Sequence, residues 1–157
     1  MNAPKLIVLD RDGVLNLNSS VVGSPFYYIT EYRHLIVKPL VAEALQIVKA
    51  LGVTTVMATK QRCLGKGLVT EAMVTSINHY LERKVNFYFD RFYVEWSLEN
   101  KVRLYEDIAR DYPFVKPSDV WVFDDTKRER EVAETLGFTS FDGANLYQSL
   151  TTALQLK

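Results

Sequence analysis

Asp10 and Asp12 stand at the end of the apolar run Leu6-Ile7-Val8-Leu9, and Gly13 breaks the chain directly after them. Consecutive apolar residues bounded by a turn former read as a buried strand, so both carboxylates are delivered to its end. Residues two apart on an extended chain share a side. One carboxylate can then attack while the other trades protons, and a divalent cation suppresses their repulsion. Taken alone, the segment also fits an Asp-rich turn leaving a core strand. Similar places are held by Thr59 with Gln61, by Lys101, and by Asp124 with Asp125. Individually these read as a turn hydroxyl, a solvated lysine and a helix cap. Their combination is what those readings leave unexplained. Carboxylates bind a hard cation, and a hydroxyl and an ammonium bind phosphate oxygens. Together they describe a phosphoryl-transfer site.

The elements that must position these groups alternate in type. A strand ending at Leu9 leads into a long irregular segment, Gly13 to Val37, which holds Gly23, Pro25 and Phe26-Tyr27-Tyr28. Pro39 suits the first turn of a helix whose apolar face is Leu40, Val41, Ala44, Leu45, Val48 and Leu51, closed by Gly52. Val53 to Ala58 reads as a strand, Gly65 to Gly67 as a loop and Thr70 to Lys84 as a helix. The aromatic stretch Asn86 to Trp96 fits one strand or two short ones, and a helix follows from Leu98 to Tyr112. Val120 to Phe123 is a buried strand ending at Asp124-Asp125, followed by a helix, a short strand over Phe138 to Phe141 and a last helix with Leu146, Leu150 and Leu154. Such alternation implies an α/β fold, a three-layer sandwich around a mostly parallel, doubly wound sheet. In such sheets the site lies beyond the carboxyl ends of the strands, near the switch in strand order.

Composition sets the outer bounds. The 157 residues are expected to form one domain, 1–157, with 48% hydrophobic and 24% charged residues. Nineteen basic residues balance nineteen acidic ones, which argues against nucleic acid or an anionic membrane as partner. Cys63 is the single cysteine, which leaves no intramolecular disulfide and no cysteine-built zinc site. The N-terminal apolar run is too short for a signal peptide or membrane span, and the chain reads as cytoplasmic. Oligomeric state is not legible.

The sequence resembles the haloacid dehalogenase superfamily of Mg²⁺-dependent phosphatases. Leu9-Asp10-Arg11-Asp12-Gly13-Val14-Leu15-Asn16 is most similar to its heptose-bisphosphate and histidinol-phosphate phosphatase group, and Met57 to Gly67 is similar to that group's second motif. The resemblance implies an aspartyl-phosphate mechanism with Asp10 as nucleophile and Asp12 as general acid/base. Thr59, with Lys60 beside it, and Lys101 would bind the phosphoryl group. Mg²⁺ would be held by Asp10, by Asp12 through its backbone carbonyl, and by Asp124 and Asp125, with Asp125 the principal acidic ligand of the pair. Glu129 stands where a second aspartate is usual. Asn86 to Asn100 has neither Cys nor His, so the zinc loop of many relatives is not expected. Lys60 and Arg62-Cys63 depart from the group's pattern where a substrate would bind. Gly13 to Val37 has the size of a flap, with Phe26, Tyr27, Tyr28, Tyr32, Arg33 and His34 available to a pocket entrance, and there is no room for a separate cap domain. Arg62 and Lys66 are candidates for a second anionic group on the substrate. The implied activity is a phosphomonoesterase acting on a small phosphorylated metabolite, a sugar phosphate first. Polynucleotide 3′-phosphatase-like end processing and a non-catalytic phosphate-binding module are the alternatives.

Overall fold

The computed structural model describes residues 3–18, 28–97 and 99–155. Gly23, Pro25, Phe26, Tyr27 and Leu98 lie outside them. Five parallel strands form one sheet in the order β3-β2-β1-β4-β5: β1 Leu6–Leu9, β2 Thr54–Lys60, β3 Arg91–Glu95, β4 Val120–Asp124 and β5 Thr139–Asp142. The chain builds outward from β1 to β3, then crosses to β4 on the other side of β1. The switch in strand order therefore falls between β1 and β4.

Among the described residues six α-helices accompany these strands: α1 Val41–Leu51, the one-turn α2 Arg62–Gly65, α3 Glu71–Val85, α4 Val102–Asp111, α5 Lys127–Thr135 and, after the last strand, α6 Leu146–Ala153. Strand alternation sorts the core into two layers. Ile7, Leu9, Met57, Trp121 and Phe123 face α1, α3 and α6. Leu6, Val8, Val56, Val120 and Val122 face α4 and α5, where Leu104, Tyr105, Ile108 and Ala133 meet them. This is the expected three-layer sandwich, and its central strands β1 and β4 are buried on both sides because both sides are covered. Among the described residues no helix is long and apolar enough to cross a membrane.

Several boundaries differ from the sequence reading; β2 runs two residues further than expected, to Lys60, and β5 is shifted by one, to Thr139–Asp142. Helix α1 starts at Val41, after Leu40 takes a left-handed φ of 65°, so Pro39 precedes the helix. Only Arg91–Glu95 of the aromatic stretch is strand. Asn86 caps α3 at φ 51°, and the amide of Phe89 donates to the Glu82 carboxylate at 2.8 Å. Phe87 and Phe89 are buried as a strand face would be, but the Phe89 amide bonds to α3. Helix α4 starts at Val102, whose amide is capped by the Asn100 side chain at 3.0 Å, and this leaves Lys101 at the N-cap.

Candidate active site

Strand register brings the acidic groups together. Leu9 pairs with Phe123, and the Asp10 amide donates to the Phe123 carbonyl at 3.0 Å, so Asp10 lies across from Asp124 at the switch between β1 and β4. Asp125 follows at once. One carboxylate oxygen from each of Asp10, Asp124 and Asp125 lies within 4.8 Å of the others.

Lys101 enters this group from the N-terminus of α4. Its buried ammonium donates to Asp10 Oδ1 at 2.8 Å, Asp124 Oδ2 at 2.6 Å and the Ala58 carbonyl at 2.8 Å, which uses all of its protons. The buried Glu129 carboxylate, in the first turn of α5, accepts the Lys101 amide at 3.0 Å. Burial pushes the Asp10 carboxyl well above the ordinary carboxylate range; Lys101 opposes this, and Asp124 and Asp125 add to it. Burial also raises Asp125. For Lys101, the attraction of Asp10 and Asp124 outweighs burial and holds the ammonium charged. Three clustered carboxylates thus face one ammonium, and the excess negative charge suits a hard cation with oxygen ligands. Asp124 has one oxygen on Lys101 and the other on the Thr126 amide at 2.9 Å, which leaves Asp125 and Asp10 the freer donors.

Asp12 is turned aside from that cluster. Its Oδ1 accepts from Arg11 Nε at 2.9 Å and Asn16 Nδ2 at 3.1 Å, and its Oδ2 accepts from Gln61 Nε2 at 3.1 Å. Burial raises the Asp12 carboxyl, but the Arg11 guanidinium and these hydrogen bonds outweigh it and hold the group below the ordinary range. Its side chain borders the same cleft of about 150 Å³ as Asp10, Lys60, Lys101, Asp125 and Glu129. Arg11 is itself fully buried and bonds Asn78 of α3 at 2.9 Å. Neither Arg11 nor Asn78 stands out in the sequence; an arginine between two aspartates is the one hint, as a compensating cation.

The other sequence candidates divide. Thr59 is buried and accepts from Gln61 Nε2 at 2.8 Å, behind the cleft lining. Lys60 reaches the cleft and has no hydrogen-bond or ion-pair partner among the described residues. Burial holds Lys60 below the ordinary lysine range against the pull of Glu129, with Arg62, Lys101 and Arg128 adding to the effect. Arg62 sits one residue beyond Gln61 with its buried Nε unpartnered, while Lys66 donates to the Tyr28 hydroxyl at 2.7 Å. Tyr32 packs on Tyr80, Arg33 pairs with Glu31, and buried His34 accepts the Thr30 amide at 3.2 Å, so these three serve the flap's own packing. Burial pushes the Cys63 thiol up, the mark of an inert cysteine.

Gly13 is fixed by this geometry. Its φ is +92°, and a Cβ there would overlap the Asp125 carboxylate. Gly52 also has a positive φ, +67°, but nothing lies within 4 Å of its added Cβ. Gly52→Ala is therefore expected to cost only the left-handed penalty, about 1–2 kcal/mol, with activity retained. Gly13→Ala should lose more stability than that and also most turnover, because Asp125 must move. Thermal melts and turnover of the two variants check the contrast; equal behaviour would mean that Asp125 does not need its position.

No protein-family model matches the chain. It is 32% identical over 98 residues to the D-glycero-D-manno-heptose-1,7-bisphosphate 7-phosphatase of Chlorobaculum tepidum, a match covering 59% of this chain and 45% of that protein. The match thus spans under half of that relative's length. The fold is shared with the D,D-heptose 1,7-bisphosphate phosphatase of B. bronchiseptica, solved with magnesium and phosphate, at a TM-score of 0.76 and 22% identity over 95% of this chain and 99% of that one. The corresponding enzyme of Burkholderia thailandensis superposes at a TM-score of 0.64 with 20% identity, over 98% and 99% of the two chains.

Proposed function

We propose that this chain, which has the fold and strand-end motifs of the haloacid dehalogenase phosphatases, is a Mg²⁺-dependent phosphomonoesterase acting on a small phosphorylated metabolite. The observation that carries the reading is the buried set of Asp10, Asp124 and Asp125 around the Lys101 ammonium at the switch in strand order. The curated relative's activity on a sugar bisphosphate supports a phosphorylated sugar as the first substrate class to test. Residues 1–157 act as one phosphatase unit without a separate cap in this reading, working in the cytoplasm.

Each residue then has a task. An Asp10 oxygen attacks phosphorus and forms an aspartyl-phosphate, and the leaving-group oxygen takes its proton from Asp12. Water next attacks the phosphorus, gives a proton to Asp12, and releases phosphate with the Asp10 carboxylate restored. Asp12 must leave its Arg11, Asn16 and Gln61 bonds to reach the leaving group, and those bonds favour the charged form that serves as base in the second step. Lys101 orients Asp10 and offsets charge on the transferring group, Lys60 holds a phosphate oxygen, the Thr59 hydroxyl joins it once the strand end shifts to uncover it, and Glu129 fixes the Lys101 backbone. Asp10, Asp125, the Asp12 backbone carbonyl and, with less free capacity, Asp124 would hold Mg²⁺. Its charge screens the carboxylates from the approaching phosphate. Arg62 is the better placed of the two candidates for a second anionic group, since Lys66 is engaged by Tyr28.

Metal removal tests this directly. Activity on phosphomonoesters is expected to vanish in EDTA and to return with added Mg²⁺. Full turnover by metal-free protein would contradict the reading.

A further inference from the structure

A second pocket, of about 300 Å³, is lined by Arg62, Gly65, Lys66, Trp96 and Ser97. Its Arg62 stands two residues after Lys60 of the catalytic cleft, just past the end of β2. The Gln61 amide donates to the Glu95 carbonyl at 2.7 Å, tying that segment to the end of β3, while the Gln61 side chain reaches Asp12 and Thr59. Leu9, Met57 and Phe92 are in register, so Trp96 lies two strands across from Asp10 and three residues further along, which sets the two backbones roughly 14 Å apart. A nucleoside monophosphate, together with the side chains that would hold its two ends, fits between such positions.

Trp96 is built to stay in place and yet remains 47% exposed. The Arg103 guanidinium lies 4.6 Å from the indole centroid and is anchored to Glu95 at 2.7 Å. Gly65 presses so close that a Cβ would overlap the Trp96 carbonyl. Among the described residues the pocket lining has no Asp, Glu, Asn or Gln. Sugar hydroxyls both donate and accept, whereas this lining offers cations, an indole and one hydroxyl. Arg62 lines the pocket with no hydrogen-bond or ion-pair partner among the described residues, so its guanidinium is free to donate to a ligand there. A flat ring carrying carbonyl or ring-nitrogen acceptors meets both demands, by stacking on the indole and accepting from the cation.

We propose that this pocket seats a planar heteroaromatic ring of the leaving group, stacked on Trp96 with its acceptors toward Arg62, so that the preferred substrates are nucleoside monophosphates. This rests on the phosphomonoesterase reading and narrows its substrate class. The chain's balanced charge favours a mononucleotide over a polynucleotide.

The test compares ribose 5-phosphate with uridine and guanosine 5′-monophosphates in the presence of Mg²⁺. The native protein should favour a nucleotide in kcat/KM by on the order of 10-fold or more, the effect residing in KM. Trp96→Ala should raise the nucleotide KM far more than the ribose 5-phosphate KM, and Trp96→Phe, which keeps a stacking face, should restore most of the preference. Ribose 5-phosphate turned over as well as either nucleotide, or a Trp96→Ala effect equal on all three, would overturn the proposal. Calorimetry of the same ligands with Asp10→Asn and Asp10→Asn/Trp96→Ala judges the platform without turnover. Loss of nucleotide binding in the double variant supports it, and equal binding refutes it, even if no ester is hydrolysed and the phosphatase reading itself fails.

Discussion

Turnover by Asp10→Asn is expected to fall below detection, because in the proposed mechanism the change removes the attacking oxygen's charge and one cation ligand together. Asp12→Asn should lose on the order of 10²–10⁴-fold, the range for a general acid/base, while still binding Mg²⁺ through its unchanged backbone carbonyl. Asp12→Asn should also lose stability, because the buried Arg11 guanidinium loses its carboxylate partner, whereas Asp10→Asn should lose little. Asp10→Asn relieves repulsion among three neighbouring carboxylates, and Lys101 keeps Asp124 as its partner. Steady-state assays with a phosphomonoester, paired with thermal melts, separate the chemical loss from unfolding. An Asp10→Asn protein with near-native turnover would remove Asp10 from the nucleophile's role.

Lys101→Met should damage the protein in both respects. The buried ammonium is the shared partner of Asp10 and Asp124, and its removal leaves two buried carboxylates facing each other. Breaking a buried ion pair by deleting one partner typically costs about 3–5 kcal/mol, and that is the loss expected in metal-free protein. Added Mg²⁺ should recover part of it by occupying the same carboxylates. Turnover should drop by on the order of 10²–10³-fold even where the variant is folded, as for other fixed charges that stabilise a transition state. Denaturant titrations with and without Mg²⁺, together with kcat at saturating metal, measure both effects. A Lys101→Met protein of native stability and turnover would mean that Lys101 is only a structural neighbour of the cleft.

Much of this site was legible because strand ends are legible. The apolar runs before Asp10, Thr59 and Asp124 each announce a buried strand, and a doubly wound sheet must collect their ends on one side. The same logic located Lys101, although its N-cap position depends on Asn100, which the sequence does not single out. What stayed hidden are contacts made by residues far apart in sequence with no periodic or motif signal. Arg11 meets Asn78 across 67 positions. Glu129 stood out only through the family resemblance, as the residue where a second aspartate is usual, and its hydrogen bond to the Lys101 amide depends on how α5 packs beside α4. The aromatic stretch before β3 misled for a physical reason. Phe87 and Phe89 alternate as strand residues do, yet the Phe89 amide is satisfied by the α3 carboxylate Glu82, so no ladder forms there. Trp96 carried no signal at all until the fold set it beside Gly65 and Arg62.

The central claim is that phosphate passes through a covalent bond to Asp10. Quenching the native protein during turnover with acid and treating it with borohydride reduces an acyl phosphate to an alcohol, which marks the phosphorylated side chain for peptide mass spectrometry. The account predicts the mark at position 10 of the native protein and of Asp12→Asn, in greater yield in the latter because the second step lacks its base. A mark at another residue, or turnover with no mark in either protein, would contradict it.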